Sequence, residues 1–206
     1  NILLTKRREM RMMQMLNEHA HKNRREAGVM PKIINNLEEN ILSAARRLVA
    51  EQGYAAVTMR AIAKECGIAV GTFYNYYPSK DAMLAACLLH DWQTALASAG
   101  ERTAAAQSAE EAVGAVFDAV RAFQEQNRSI FSDEGARSSA AGALQSRHAQ
   151  LRAQIAALLE APCRRFSDAP DAAFLAEFAA ESILSWSGTD ISFPQLWTLL
   201  KRLFIK

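Results

Sequence analysis

The stretch Thr58–Lys80, T-M-R-A-I-A-K-E-C-G-I-A-V-G-T-F-Y-N-Y-Y-P-S-K, decides how the other residues of this 206-residue chain are read. Thr58 is a good helix N-cap, and after it Met59, Ile62, Ala63 and Cys66 fall at the spacing that puts four apolar groups on one helix face. Gly67 supplies the left-handed position that ends a helix, with Ile68 as the apolar contact beyond it. A second short helix then runs from about Val70 to Tyr76. Two short helices joined at a glycine corner make a helix-turn-helix.

In the second of these helices Phe73 and Tyr77 lie four apart and face the core, while Thr72, Asn75 and Tyr76 take the opposite side with Tyr74 flanking. The outward face offers hydroxyls and an amide and no formal charge. Pro78 stops the helix and Ser79 caps the next, whose first residue is Lys80. A lysine there opposes the helix dipole unless an anion is close, and a phosphate is the simplest such anion.

The segment from about Ile41 to Leu84 resembles the DNA-binding domain of the TetR family of bacterial transcriptional regulators. The resemblance is carried by the helix from Leu42 to Tyr54, by Thr58-Met59-Arg60-Ala61-Ile62-Ala63, by Gly67-Ile68, by Gly71-Thr72-Phe73-Tyr74, and by Tyr76-Tyr77-Pro78-Ser79-Lys80-Asp81. It implies that Thr58, Tyr74, Tyr76 and Lys80 contact phosphates and that Arg60, Val70, Gly71 and Thr72 lie nearest the base edges. Asn75 stands on the same outward face. Arg60 is the side chain among them that can make a bidentate contact to guanine.

Composition agrees with an all-helical protein. Glycine and proline number only nine and five, and alternating strand-like runs are hard to find. The net charge of +2 hides an asymmetry: residues 1–80 hold 13 Lys and Arg against 7 Asp and Glu, net +6, and residues 81–206 hold 11 against 15, net −4. A basic first part and a mildly acidic remainder suit a protein with one end that meets a polyanion. Cys66, Cys87 and Cys163 show no metal or redox spacing and read as buried thiols of a reducing cytoplasm. With no long apolar span and a leading stretch interrupted by Lys6-Arg7-Arg8, the chain is expected to be cytoplasmic.

Three units are expected: a basic helical extension over 1–29, a helix-turn-helix DNA-binding domain over 30–80, and a helical effector-binding and dimerisation domain over 81–206. Met30-Pro31-Lys32-Ile33-Ile34 reads as a natural start, which would make the extension non-native, and Lys32 would serve as a short basic arm. A helix with Ile34, Leu37, Ile41, Ala44 and Leu48 inward ends at Gly53 and supplies the third wall of the small domain. The next helix is expected from Ser79 to about Ala97, broken at Ser98-Ala99-Gly100. Another follows Ser108, a loop occupies about 128–143, and a helix from Leu144 is closed by Pro162.

Trp92, Phe117, Arg121, His148, Phe178 and Trp186 are candidates for an effector pocket, as aromatic residues with a few polar groups suit such a site. His148 lacks any partner at ligand spacing, so neither a metal nor a cofactor is implied beyond a small-molecule effector. The last helices, about Asp171 to Ser187 and Phe193 to Ile205, carry Phe193, Leu196, Trp197, Leu200, Leu203 and Phe204. Their greasiness needs cover on two sides, and the resemblance implies a homodimer built there. The function expected is a ligand-responsive regulator, most often a repressor, binding a palindromic operator. An activator, a redox-responsive regulator and a helical scaffold are the alternatives. An enzyme is disfavoured because no nucleophile elbow, phosphate loop or carboxylate pair appears.

Overall fold

The computed structural model describes residues 36–132 and 147–204. The expected basic helix over 1–29, the Met30 start and Lys32 lie outside these residues, as do most of the stretch 128–143 and residues 144–146. The described residues are helical, with no strand among them, and no helix among them is long and apolar enough to cross a membrane.

Helix α1 (Leu37–Gln52) buries Ile41, Leu42, Ala45, Leu48 and Val49, and ends at Gly53. Gly53 takes φ 77°, and its N–H reaches the Val49 carbonyl. Helix α2 (Met59–Glu65) starts on the Thr58 hydroxyl, which accepts from Ala61 N at 3.1 Å. At the corner Gly67 has φ 64°, which lets its N–H bond to Lys64 O at 3.1 Å and Ile68 N to Ala63 O at 2.9 Å. Helix α3 (Val70–Tyr76) follows, with Phe73 fully buried.

Helix α4 (Lys80–Ala105) is capped by Ser79 Oγ accepting from Ala82 N at 3.0 Å. It continues past the break expected at Ser98-Ala99-Gly100. Gly100 is absorbed within it, where Leu158 Cδ2 stands 3.5 Å from where a Cβ would lie, an ordinary packing distance. Helix α5 (Ala109–Gln126), begun by Ser108 Oγ accepting from Glu111 N, buries Ala112 through Phe117 without a break. It is therefore central, packed by α4 and by the later helices.

The short helix α6 (Arg128–Ser132) occupies the start of the expected loop, and α7 runs His148–Phe166. Pro162 lies inside α7, which goes on for one more turn. Pro162 and Cys163 are both buried there, so packing of that last turn offsets the backbone bond that proline cannot make. Helix α8 (Ala172–Trp186) packs mainly on α7. Helix α9 (Phe193–Leu200) is shorter than expected and passes into a 3₁₀ turn, Lys201–Leu203.

Candidate nucleic-acid interface and a neighbouring open cavity

The outward side of the helix-turn-helix is open. Thr58, Arg60, Gly71, Tyr74 and Asn75 are exposed, and Val70, Thr72 and Tyr76 are half-buried. Their partners Phe73 and Tyr77 form the inner side, ring centroids 5.9 Å apart, and Tyr77 Oη donates to Glu38 Oε1 on α1 at 3.3 Å. One helix thus divides cleanly, aromatic mass to the core and hydroxyls to solvent. The Thr58 hydroxyl accepts the cap bond and keeps its own hydrogen to donate outward.

Lys80 has a more definite structural task than its position alone suggested. Its Nζ donates to Tyr54 O at 2.6 Å, to Val57 O at 3.1 Å and, more weakly, to Ala55 O at 3.5 Å. The same ammonium lies 4.1 Å from the Tyr54 ring centroid, while Tyr54 Oη donates to Asp81. The lysine therefore ties the loop after α1 to the start of α4. Three carbonyls and a ring face supply the negative potential that the dipole would otherwise withhold.

Two joints couple this small domain to the rest. Arg46 on α1 donates through Nε to Asp91 Oδ2 at 3.1 Å, and its Nη2 lies 2.6 Å from Oδ1. The Asp91 side chain is 3 % exposed, so this fork holds a charge that would otherwise sit unpaired in the interior. The second joint is the short α6, which also packs against α1.

Immediately after Asp91 on α4 comes Trp92, which turns the other way. It forms one wall of a cavity of about 660 Å³ between α4, α5, α6 and α8. Trp92 Nε1 donates to Gln154 Oε1 at 2.8 Å, and its ring meets Phe123 edge-on at 5.3 Å. Arg121 also lines this space, its Nη1 donating to Ile191 O at 3.1 Å.

The structure sets the other four pocket candidates apart from this cavity. Phe117 is 1 % exposed and packs on Phe193 at 5.5 Å, so it is core. His148 opens α7 at the surface, its Nε2 3.6 Å from Glu181 Oε1, and does not join an apolar stripe. Phe178 and Trp186 lie on the outer side of α8, 47 % and 46 % exposed, because the inner side of that helix is taken by Leu175, Ala179 and Ile183. Of the six residues assigned to a dimer interface, Leu196, Leu200 and Phe204 instead fill the chain's own core, and Phe193 and Trp197 are half-buried. The sequence reading missed Gln124, Phe131 and Ser187 as lining residues. Only a three-dimensional neighbourhood identifies them, because none belongs to a motif.

The thiols behave as core groups. Burial pushes the Cys87 thiol up to about 12 and the Cys163 thiol up to about 11, and it also raises Cys66, with Glu65 adding to the effect. None has the lowered pKa that a redox-sensing thiolate needs. In the folded chain these groups keep protons that the unfolded chain releases above its ordinary thiol value of 9.0. Their contribution is therefore complete below that value and declines as pH rises through the folded values. Unfolding free energy should fall between neutral pH and about pH 10.5, and Cys87→Ala should flatten that fall, as denaturant titrations at the two pH values would register.

Comparison with known proteins follows the same division. Residues 41–87 match the family described as bacterial regulatory proteins, tetR family. The HTH-type transcriptional regulator UidR of Escherichia coli K12 is 44% identical over 57 residues, which are 28% of this chain and 29% of UidR. That match covers less than a third of either protein. Among solved structures, Salmonella enterica GusR superposes over 85% of this chain and 98% of its own with a TM-score of 0.58 at 22% identity. The Bacillus subtilis regulator FadR, solved in complex with stearoyl-CoA, superposes over 81% of this chain and 97% of its own, with a TM-score of 0.53 at 16% identity. These two likenesses extend to the arrangement of the C-terminal helices.

Proposed function

We propose, for a chain that belongs to the tetR family of bacterial regulatory proteins, that it is a ligand-responsive transcriptional regulator, acting as a repressor and binding a palindromic operator as a homodimer. The observation that carries the proposal is the split of α3, with its aromatic side buried and its hydroxyl-bearing side open beside the exposed Arg60. Arg60, Val70, Gly71 and Thr72 then approach base edges in the major groove. Thr58, Tyr74, Asn75 and Tyr76 lie along the phosphates, and Lys80 braces the loop that presents them while adding its charge to that end.

A two-fold dimer presents its two recognition helices about 34 Å apart, or a multiple of that, to meet successive major-groove faces. Exposed large apolar side chains support the dimer: Phe174 is 70 % exposed, Leu199 71 % and Leu203 45 %, besides Phe178 and Trp186. All five lie on α8, on α9 and in the 3₁₀ turn that follows it, the part of the chain expected to form the interface. The residues that meet the partner are these rather than Leu196, Leu200 and Phe204.

The cavity beside Trp92 is the effector site in this proposal. A ligand there touches α4 and α6 at once, the two elements on which α1 is docked. A ligand that prefers one arrangement of those helices shifts the DNA-binding domains toward it, and operator affinity changes by that preference. The FadR neighbour, solved in complex with stearoyl-CoA, supports a ligand-binding role for a chain of this fold.

The test is a gel shift on the DNA upstream of the gene. Arg60→Ala should cost about 1–3 kcal/mol and relax preference at one base pair of each half-site, as expected for loss of a bidentate base contact. Tyr74→Phe should weaken all operator variants alike, since a lost phosphate contact is blind to sequence. Equal effects of both variants on every operator would refute this assignment of roles.

A further inference from the structure

The loop between α1 and α2 gathers its carbonyls around one ammonium. Tyr54 follows the end of α1 and Val57 precedes the Thr58 cap of α2. Lys80 Nζ lies 2.6 Å from Tyr54 O, 3.1 Å from Val57 O and 3.5 Å from Ala55 O. An ammonium has three N–H donors, and each has a carbonyl here, so a phosphate oxygen could bond to Lys80 only by displacing one of them. The ring of the buried Tyr54, its centroid 4.1 Å from Nζ, shields the same ammonium on a further side.

What this clasp positions follows from chain distance. Val57 is pinned just before the start of α2, and Thr58 Oγ1, accepting from Ala61 N at 3.1 Å, carries that placement into the first turn, where the exposed Arg60 stands second. Helix α3 has anchors of its own. Phe73 is fully buried, Tyr77 Oη donates to Glu38 Oε1 at 3.3 Å, and Ile68 N bonds to Ala63 O across the corner at 2.9 Å. Without the lysine the loop can shift the start of α2 while α3 keeps its seat. A two-pronged contact from Arg60 to a base suffers most from such a shift, because hydrogen bonds weaken steeply once their angle is lost.

We infer that Lys80 is a positioning residue for sequence reading: it fixes the aim of Arg60 from inside the domain and makes no operator contact of its own. This differs from the phosphate contact that the family resemblance implies. A lysine on a phosphate adds affinity for every duplex, whereas a lysine that aims Arg60 adds preference at one base pair.

The inference rests on Arg60 reading a base edge, and its test separates the two. Operator duplexes differing at single base pairs of a half-site are titrated with the full chain, Lys80→Met, Arg60→Ala and the double variant, at several salt concentrations. Lys80→Met should lose at least about fivefold of the preference at the base pair that Arg60→Ala relaxes. Preference at other positions should stay within about twofold, and the double variant should lose no more than Arg60→Ala alone, since both act through one contact. The slope of log affinity against log salt should fall by less than about 0.9 per half-site, the share of one phosphate contact. Equal weakening of all duplexes, additive losses in the double variant, an unchanged preference, or a slope reduced by a full contact would overturn the inference. Lys80→Arg serves where Lys80→Met does not fold: its longer, planar donor keeps the charge without the compact three-way donation, so it should lose the same preference, and wild-type reading would overturn the inference. If Arg60→Ala relaxes no base pair, the base-edge reading fails. The clasp is then judged by amide hydrogen exchange without DNA, which in Lys80→Arg should quicken over residues 55–61 and not in α3. Unchanged exchange there would defeat the clasp as well.

Discussion

Asp91→Ala is expected to lower the unfolding free energy by about 3 kcal/mol, the low end for breaking a buried ion pair. The low end applies because the Arg46 side chain keeps 23% exposure and can recover some hydration once its partner is gone. The larger consequence is positional. Arg46–Asp91 is the polar fork that fastens α1 to α4, and α4 carries Trp92 at the very next residue. Without it α1 keeps its apolar contacts with α4, its contact with α6 and the tie through Lys80 and Tyr54 at the start of α4, but loses the charged fork deeper along α4, so operator affinity should fall more than the stability change explains. A paired substitution, Arg46→Met with Asp91→Leu, should restore much of the stability, since two apolar groups need no desolvation. It should not restore ligand response if the fork transmits it. Chemical denaturation and operator titration of the same preparations check both parts.

Phe73→Ala should be still more costly, about 3–5 kcal/mol, because a fully buried aromatic ring leaves a cavity in a small domain that cannot close over it. Phe73 sits between Tyr77 and Tyr74, with ring centroids 5.9 and 6.4 Å away, so its removal also loosens the side of α3 that keeps the hydroxyls outward. DNA binding should be lost at temperatures where the C-terminal helices still give a full circular dichroism signal. Phe73→Leu, which keeps most of the volume, should lose much less of either property.

The local half of this protein was legible in its sequence and the global half was not. Thr58, Gly67, Pro78 and Ser79 act on their immediate neighbours, through caps, a positive φ and a missing N–H, so the bounds of α2 and α3 follow from them. Gly100 and Pro162 misled for a converse reason. Each weakens a helix in isolation, yet here Leu158 packs beside Gly100 and α4 runs on, and the burial of Pro162 and Cys163 carries α7 another turn. Leu196, Leu200 and Phe204 show the limit of reading greasiness as an interface. An all-round apolar helix needs two covers, but which residues its own chain covers depends on the angle at which α9 meets α5. The cavity was half seen, through Trp92 and Arg121. Gln124 and Ser187 were invisible because lining a cavity is a property of a residue's surroundings.

The most direct measurement is footprinting of the full chain on the DNA upstream of its gene, with excess unrelated duplex present and at two salt concentrations. Two protected half-sites should appear, their centres about 10 base pairs or a multiple apart, weakening together as salt rises but keeping their position. Protection that is uniform along the duplex, or none at any salt, would contradict a dimeric operator-binding regulator.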